Sequence, residues 1–145
     1  MYQRQVAEHL IHHQIKPSLQ RIAIMEYLMN HATHPSVDTI FNDLYSAIPT
    51  LSKTTVYNTL KLFVENGAAQ MLTIDERNIR YDADITPHAH FRCITCGEIY
   101  DILLNKGALV DLMHPIDFKI EDIQIYYKGY CKKCLGLAPD NISKT

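Results

Sequence analysis

Apolar residues in the first 66 positions recur every three to four residues, the spacing of one face of an α-helix. The pattern predicts four helices, over residues 3–14, 18–31, 36–47 and 52–66. Ser18 is well placed to cap the second helix, and Gly67 is well placed to end the fourth. The first part of the chain is therefore expected to be helical.

After Gly67 the period changes to that of short strands. Residues 70–74 and 78–82 are predicted to form a hairpin around a polar turn at residues 75–77. Several helices followed by a hairpin describe a winged helix-turn-helix. Residues 1–82 are thus predicted to be a DNA-binding domain, and residues 83–87 are read as a linker.

Short strands also dominate the pattern beyond the linker. They are expected at residues 90–93, 98–102 and 119–127, with a helix at residues 106–113. Residues 88–145 are interpreted as a small C-terminal α/β domain, and the fold class of the whole chain is α+β.

The composition is that of an ordinary folded protein. The chain has 145 residues, of which 47% are hydrophobic and 21% charged, and this excludes a disordered polymer. Its net charge of −2 means that DNA binding must depend on local charge placement. No apolar run approaches the roughly 20 residues of a membrane span, and no signal peptide is evident, so a cytoplasmic location without membrane association is expected.

All four cysteines lie in the second half, as two pairs with the spacing C-x-x-C. They are Cys93, Cys96, Cys131 and Cys134. Two such pairs in a chain without a secretory signal favour a closed tetrahedral zinc site over disulfides. A thioredoxin-type motif would need one pair opening a helix in a βαβ unit, and the pattern lacks that unit. Structural zinc is the prediction.

A second group of metal-ligand residue types includes residues close to the first cysteine pair and others far from it in the sequence. His88 and His90 are two residues apart, so an extended backbone points both imidazoles to one side. Asp101 lies on the next predicted strand, Asp82 ends the hairpin, and His34 precedes the third helix. Nitrogen and oxygen donors without thiolate suit iron(II), manganese(II) or zinc(II), and ligand type does not choose among them.

The fourth helix divides into an apolar stripe and a polar face, as a recognition helix must. The polar candidates for DNA contact are Lys53, Thr54, Thr55, Tyr57, Asn58 and Lys61. The lysines are suited to phosphates, and the other side chains can reach base edges. An amphipathic helix with a solvated polar face would show the same pattern, but the following hairpin favours DNA binding.

Several runs together resemble the ferric uptake regulator (Fur) family. They are His34-Pro35-Ser36-Val37-Asp38, Thr55-Val56-Tyr57-Asn58-Thr59-Leu60, Arg80-Tyr81-Asp82, the stretch from His88 to Gly97, and Gly129-Tyr130-Cys131-Lys132-Lys133-Cys134. The resemblance covers nearly the whole chain. It implies a dimeric, metal-dependent repressor with an N-terminal winged helix and a C-terminal dimerisation domain, and not an enzyme.

The resemblance also implies roles for individual residues. Zinc would be held by the four cysteines, and the regulatory ion by His34, Asp82, His88, His90 and Asp101. Iron-sensing members usually have Glu at position 101, so an Asp there resembles the peroxide-sensing PerR branch. Ser18-Leu19-Gln20-Arg21 stands where the family has Thr-Pro-Gln-Arg, which leaves Arg21 available for a phosphate.

The implied mechanism is a metal clamp. A regulatory iron(II) or manganese(II) ion, with zinc(II) as an alternative, would select a dimer that reads a pseudo-palindromic operator. By analogy with the peroxide sensors, peroxide reacting at bound iron would oxidise His34 or His88 and release the DNA. The alternatives are an iron- or zinc-responsive repressor, and, in another class, a structural zinc-ribbon interaction protein. A metallo-hydrolase would need a general base near His88 or Asp101, and none stands out.

Overall fold

The computed structural model describes residues 2–112, 117–120 and 122–137. The chain divides into two compact units, Met1–Ile85 and Thr86–Thr145. The first unit contains four helices and a hairpin, in the order that the sequence predicts. Among the described residues, no helix combines the length and the apolarity that crossing a bilayer requires.

The helices of the first unit are α1 (Tyr2–His12), α2 (Leu19–Asn30), α3 (Val37–Leu44) and α4 (Lys53–Glu65). Three of these helices have a serine as the N-cap residue. The hydroxyls of Ser18, Ser36 and Ser52 each accept a hydrogen bond from the backbone N–H three residues later. At the end of α4, Gly67 adopts a φ of +72°, which favours glycine, and the chain turns into the hairpin.

The core of the first unit lies where the apolar faces of the four helices meet. Its fully buried members include Leu10, Ile24, Ile40, Leu60 and Phe63. Strands β1 (Gln70–Leu72) and β2 (Arg80–Asp82) form an antiparallel ribbon in the register Met71↔Tyr81. This is the predicted winged helix-turn-helix, with the packed core holding α4 by its apolar stripe.

The second unit is a three-stranded sheet with β3 (Ala89–Cys93) in the middle. The antiparallel neighbour is β4 (Ile99–Ile102), and the parallel neighbour is β5 (Tyr126–Gly129). Helix α5 (Lys106–Leu112) follows β4, and a short 3-10 helix (Leu135–Leu137) follows β5. The predicted last residue of α5, Met113, lies outside the described residues.

The third predicted strand of this unit is wrong in its position. The sequence suggests a strand over residues 119–127. In the structure, residues 119–120 and 122–125 are not in a strand, and β5 runs from Tyr126 to Gly129. The parallel register explains the shift, because Gly129 lies opposite Cys93 and the N–H of Ile94 donates to the Gly129 carbonyl at 2.7 Å. The position of the strand follows its pairing with β3 and not the apolar residues before it.

Candidate functional site

The four cysteines come together at one end of the second unit. Cys93 is the last residue of β3, and the turn after it closes with hydrogen bonds from the Gly97 N–H to the Cys93 carbonyl and from the Cys93 N–H to the Glu98 carbonyl, both at 2.9 Å. Gly97 has a φ of +75°, which glycine tolerates and other residues rarely adopt. The second pair forms a similar turn, in which the Cys134 N–H donates to the Cys131 carbonyl.

The sulfur positions fit a tetrahedral zinc ion. All four Sγ atoms lie within 4.8 Å of one another, and Cys96 Sγ is 3.8 Å from Cys131 Sγ. A tetrahedron with Zn–S bonds of about 2.3 Å has edges of about 3.8 Å. Three of the cysteines are buried, and Cys96 is exposed. The donor set is therefore that of a closed structural zinc site.

Hydrogen bonds distribute protons unequally over this cluster. The Cys131 backbone N–H donates to Cys93 Sγ at 3.4 Å and is the main reason that the pKa of the Cys93 thiol falls to about 6. The pKa of Cys134 rises to about 12, chiefly because its thiol is hydrogen-bonded to Cys131. The hydrogen bonds therefore favour the thiolate form of Cys93 over that of Cys134, and zinc binding has to displace the protons that remain.

The second unit also places two imidazoles on one carboxylate. In the β3–β4 register His90 is directly opposite Asp101, and His88 lies two residues before His90. Asp101 Oδ1 is 3.3 Å from His88 Nε2 and 3.4 Å from His90 Nε2. The two imidazole side chains are buried, whereas 37% of the Asp101 side chain is exposed.

The backbone fixes which nitrogen of His88 faces the carboxylate. Its Nδ1 lies 2.6 Å from the carbonyl oxygen of Thr86. A carbonyl can only accept, so Nδ1 carries a proton, and Nε2 is the nitrogen that faces Asp101 and is available to bind a metal ion once unprotonated. This is the arrangement in which metal-ligating histidines are usually held.

The first unit places a similar pair on its own elements. His34, in the loop before α3, has its Nε2 3.4 Å from Oδ2 of Asp82, the last residue of β2. Both side chains are buried. The other Asp82 oxygen, Oδ1, accepts from the Asp84 N–H at 2.9 Å, which orients the carboxylate.

These spacings test whether each group can bind a metal ion. Two ligand atoms about 2.1 Å from one ion, at octahedral to tetrahedral angles, are about 3.0–3.4 Å apart. The nitrogen–oxygen distances of 3.3–3.4 Å in both units agree with that range. Imidazole and carboxylate donors together fit a divalent transition ion.

The comparison with known proteins decides the family. The model of the "Ferric uptake regulator family" matches residues 12–128. The chain belongs to the ferric uptake regulator family. It is therefore a transcription regulator and not an enzyme, as the sequence predicts.

Relatives within the ferric uptake regulator family include peroxide regulators. The peroxide operon regulator of Bacillus subtilis (strain 168) is 35% identical over 117 residues, which are 79% of this chain and 81% of that protein. The structure of PerR from Streptococcus pyogenes, described as a basis for peroxide sensing and gene regulation, is 30% identical, with 92% of each chain covered and a TM-score of 0.51.

A family member of lower identity shares the fold. The ferric uptake regulator of Helicobacter pylori is 20% identical, with a TM-score of 0.73 over 92% of this chain and 94% of that chain. Its structure is described as having three functional metal-binding sites. At this identity the likeness establishes the α+β fold alone.

For a regulator of this family, the exposed side of α4 is the candidate nucleic-acid interface. Exposed side chains recur on it at helical spacing, and these are Lys53, Thr54, Tyr57, Asn58 and Lys61. Two predicted contacts have intramolecular partners. Lys53 Nζ lies 3.2 Å from an Asp38 carboxylate oxygen, and the hydroxyl of half-buried Thr55 is 2.9 Å from that of Ser52.

Arg21 lies in a groove beside this face. Its NH1 donates to the Lys16 carbonyl at 2.8 Å. An open groove of about 480 Å³ between the start of α2 and α4 is lined by Lys16, Arg21, Thr55 and Asn58, among others. Basic side chains beside a helix N-terminus suit a phosphate.

Sequence reasoning missed two basic residues of the first unit. Lys16 brings a second positive charge to the groove of Arg21. Its position just before Pro17, three residues before α2 begins, was the signal that could have found it. Arg80 donates to the backbone carbonyl of His34 at 3.1 Å. The only sequence signal for this contact was the Arg80-Tyr81-Asp82 run, because the two residues are 46 positions apart.

Proposed function

We propose that this chain is a metal-dependent, DNA-binding repressor whose binding to DNA is released by peroxide. The observation that carries the proposal is the shared carboxylate of Asp101, which lies within 3.4 Å of two buried imidazoles. Such an arrangement is a preformed divalent-ion site. The names of its relatives support the choice of signal, because the B. subtilis relative is a peroxide operon regulator and the S. pyogenes relative is PerR.

The regulatory ion is proposed to take ligands from both units. His34 and Asp82 would come from the first unit, and His88, His90 and Asp101 from the second. The geometry inside each unit supports this assignment, since each unit by itself presents imidazole and carboxylate atoms at ligand spacing. Iron(II) or manganese(II) is the proposed ion, with zinc(II) as the alternative, and structural zinc occupies the four-cysteine site.

Ligands contributed by two units make the ion a conformational switch. A chain with the ion bound favours one arrangement of its units, and a chain without the ion does not. Changing such an equilibrium from 1:99 to 99:1 needs about 5.5 kcal/mol of differential binding, which a metal bound by several side chains supplies. The favoured arrangement is proposed to be the one that binds the operator.

The protein side of peroxide sensing is proposed to depend on two buried imidazoles, those of His34 and His88. Iron(II) held by the ligand set would supply the redox chemistry by which peroxide transfers one oxygen atom to an imidazole carbon and leaves as water. His34 and His88 are the proposed targets. Their burial keeps competing side chains and bulk water away from the reaction. An oxidised ring is a poorer ligand, so the clamp opens and the DNA is released.

The DNA is proposed to be a pseudo-palindromic operator read by a homodimer. Each copy would insert α4 into the major groove, with Tyr57 and Asn58 at base edges and Lys61 and Arg21 at phosphates. The exposure of these α4 side chains in a helix anchored by its buried stripe supports this role. The cytoplasm is the proposed location of this repressor.

Metal-dependent DNA binding tests the proposal. Wild-type protein should bind an operator fragment far more tightly with manganese(II) than with chelator, at one stated salt concentration. His88→Ala should abolish that difference while one zinc per chain remains bound. The matched control is His12→Ala, which removes an exposed histidine of α1 and should behave as wild type. If zinc leaves together with the His88 imidazole, the division into two sites is refuted.

Mass spectrometry tests the peroxide signal. Iron-loaded protein treated with low peroxide should gain one oxygen atom on a peptide containing His34 or His88, and manganese-loaded protein should not. Loss of operator binding should follow the same time course. If DNA binding responds to iron or zinc supply but no oxygen is gained, the chain is an iron- or zinc-responsive repressor. If DNA binding is absent with any ion, the zinc-ribbon alternative replaces both.

A further inference from the structure

Arg80 connects two parts of the first unit that sequence alone does not link. Its Nε and NH2 donate to Asp75 Oδ2 at 3.1 and 3.0 Å, and its NH1 donates to the His34 carbonyl at 3.1 Å. One planar guanidinium therefore joins the turn of the hairpin to the loop that carries a proposed metal ligand. Arginine is suited to this because its donors are fixed in one plane.

The Asp75 end of this connection is part of the turn between β1 and β2. Asp75 is buried, and its Oδ1 accepts from the Arg77 N–H at 2.9 Å. The carboxylate therefore shapes the turn as well as pairing with Arg80. Loss of Arg80 would remove two charge-assisted hydrogen bonds from this buried carboxylate, which is expected to loosen the turn.

The His34 end is a loop held in an uncommon backbone conformation. His34 has a φ of +56°, in the left-handed region that residues other than glycine rarely adopt. Two contacts from β2 hold it there, the Arg80 bond to the His34 carbonyl and the bond from the Tyr81 N–H to the Pro35 carbonyl at 3.0 Å. A conformation that is locally unfavourable persists only where surrounding contacts determine it.

We infer that Arg80 is a positioning residue that couples the regulatory metal site to the DNA-binding wing. The inference rests on the proposed function, in which His34 is a ligand and the hairpin is the wing. Arg80 holds the His34 backbone so that Nε2 lies beside Asp82. Because the same guanidinium also binds Asp75, a better-ordered His34 loop makes the turn at residues 75–77 better ordered as well. Metal binding therefore orders the wing from within one unit, in addition to any effect of the clamp.

The test compares Arg80→Gln with Arg77→Gln. Both variants lose one positive charge from the hairpin, but the Arg77 side chain is exposed and its backbone bond to Asp75 does not depend on the side chain. Manganese(II) affinity is measured by titration of full-length, zinc-containing protein. Arg80→Gln is expected to weaken it by about 10- to 100-fold, the usual effect of losing a residue that orients a ligand. Arg77→Gln is expected to bind manganese as wild type does.

Hydrogen exchange distinguishes coupling from a general loss of stability. Saturating manganese should slow amide exchange in residues 73–79 of wild type and of Arg77→Gln, but not of Arg80→Gln. Wild-type affinity together with a wing that still responds to manganese in Arg80→Gln would overturn the inference.

A conservative variant covers the case in which Arg80→Gln fails to fold. Arg80→Lys keeps the charge, but its single Nζ cannot serve Asp75 and the His34 carbonyl together, so an intermediate loss of affinity is expected. Wild-type behaviour of Arg80→Lys in both measurements would overturn the inference. If His34→Ala does not change manganese affinity, the proposed function fails, and this coupling fails with it.

Discussion

Replacing Asp101 by Asn isolates the charge of the carboxylate shared by His88 and His90. Asparagine keeps the size of the side chain and an oxygen that can accept a hydrogen bond, and the position is partly exposed. Without metal, the change should therefore alter the free energy of unfolding by less than about 1 kcal/mol. With metal, an anionic ligand becomes neutral. We expect a loss of affinity of about 100-fold, the upper end of what removing an outer-shell partner costs.

Thermal unfolding with and without manganese(II) measures both quantities. At an ion concentration of about 100 times the wild-type Kd, binding stabilises wild type by about 2.7 kcal/mol, whereas a Kd raised 100-fold leaves about 0.4 kcal/mol. If each kcal/mol of added stability raises Tm by about 3 °C, manganese should raise the Tm of wild type by about 8 °C and that of Asp101→Asn by about 1 °C.

The matched control is Asp122→Asn, which removes one charge from an exposed position of the same unit, where the carboxylate contacts Gln124. It should keep the full shift in Tm. The reasoning is refuted if Asp101→Asn also keeps it, because Asp101 would then contribute nothing to metal binding.

Three further substitutions test other parts of the first unit. Ser52→Ala removes the N-cap of α4, in which the hydroxyl accepts from the Thr55 N–H at 3.1 Å, and should lower the free energy of unfolding by about 1 kcal/mol in denaturant titrations. Asp38→Asn frees Lys53 for a phosphate, so operator affinity should rise and the slope of log K against log salt should steepen by about one. Burial lowers the pKa of His9, so at acidic pH the unfolded state binds more protons than the folded state, and stability falls as pH drops below about 6.5. In thermal scans between about pH 7 and pH 5, His9→Gln should therefore lose less Tm than wild type.

Each of these expectations has a contrary outcome. A Ser52→Ala variant as stable as wild type would mean that water replaces the cap without loss. An unchanged salt slope in Asp38→Asn would place Lys53 away from the DNA backbone. An acid-induced loss of Tm in His9→Gln equal to that of wild type would assign the loss to other groups.

Local signals were sufficient for most of the first unit. The four helices follow from apolar spacing, and the serines that cap three of them are visible in the sequence because capping depends on residues three positions apart. The position of β5 could not be obtained in this way. Apolar residues recur at Ile120, Ile123 and Ile125, but the strand begins at Tyr126, where pairing with β3 sets the register.

The candidate metal ligands also divide into those that local sequence signals predict and those that depend on long-range contacts. The spacing of His88 and His90 predicts two imidazoles on one side of a strand, which is a local property. That Asp101 lies directly opposite His90 depends on the strand register, which the sequence only suggests. His34 and Asp82 are visible in the sequence as ligand types, but only the family resemblance assigned both to one site, because their pairing joins a loop to a strand residue 48 positions away along the chain.

Strand β3 ends at Cys93, a proposed zinc ligand, and carries His90, a proposed ligand of the regulatory ion, three residues earlier. Because three is odd, His90 and Cys93 project from opposite sides of one short segment. We expect a newly made chain without zinc to lack the cysteine tie between β3 and β5, and with it the support that holds His90 in place. Scarcity of zinc would then silence a response whose stimulus has nothing to do with zinc.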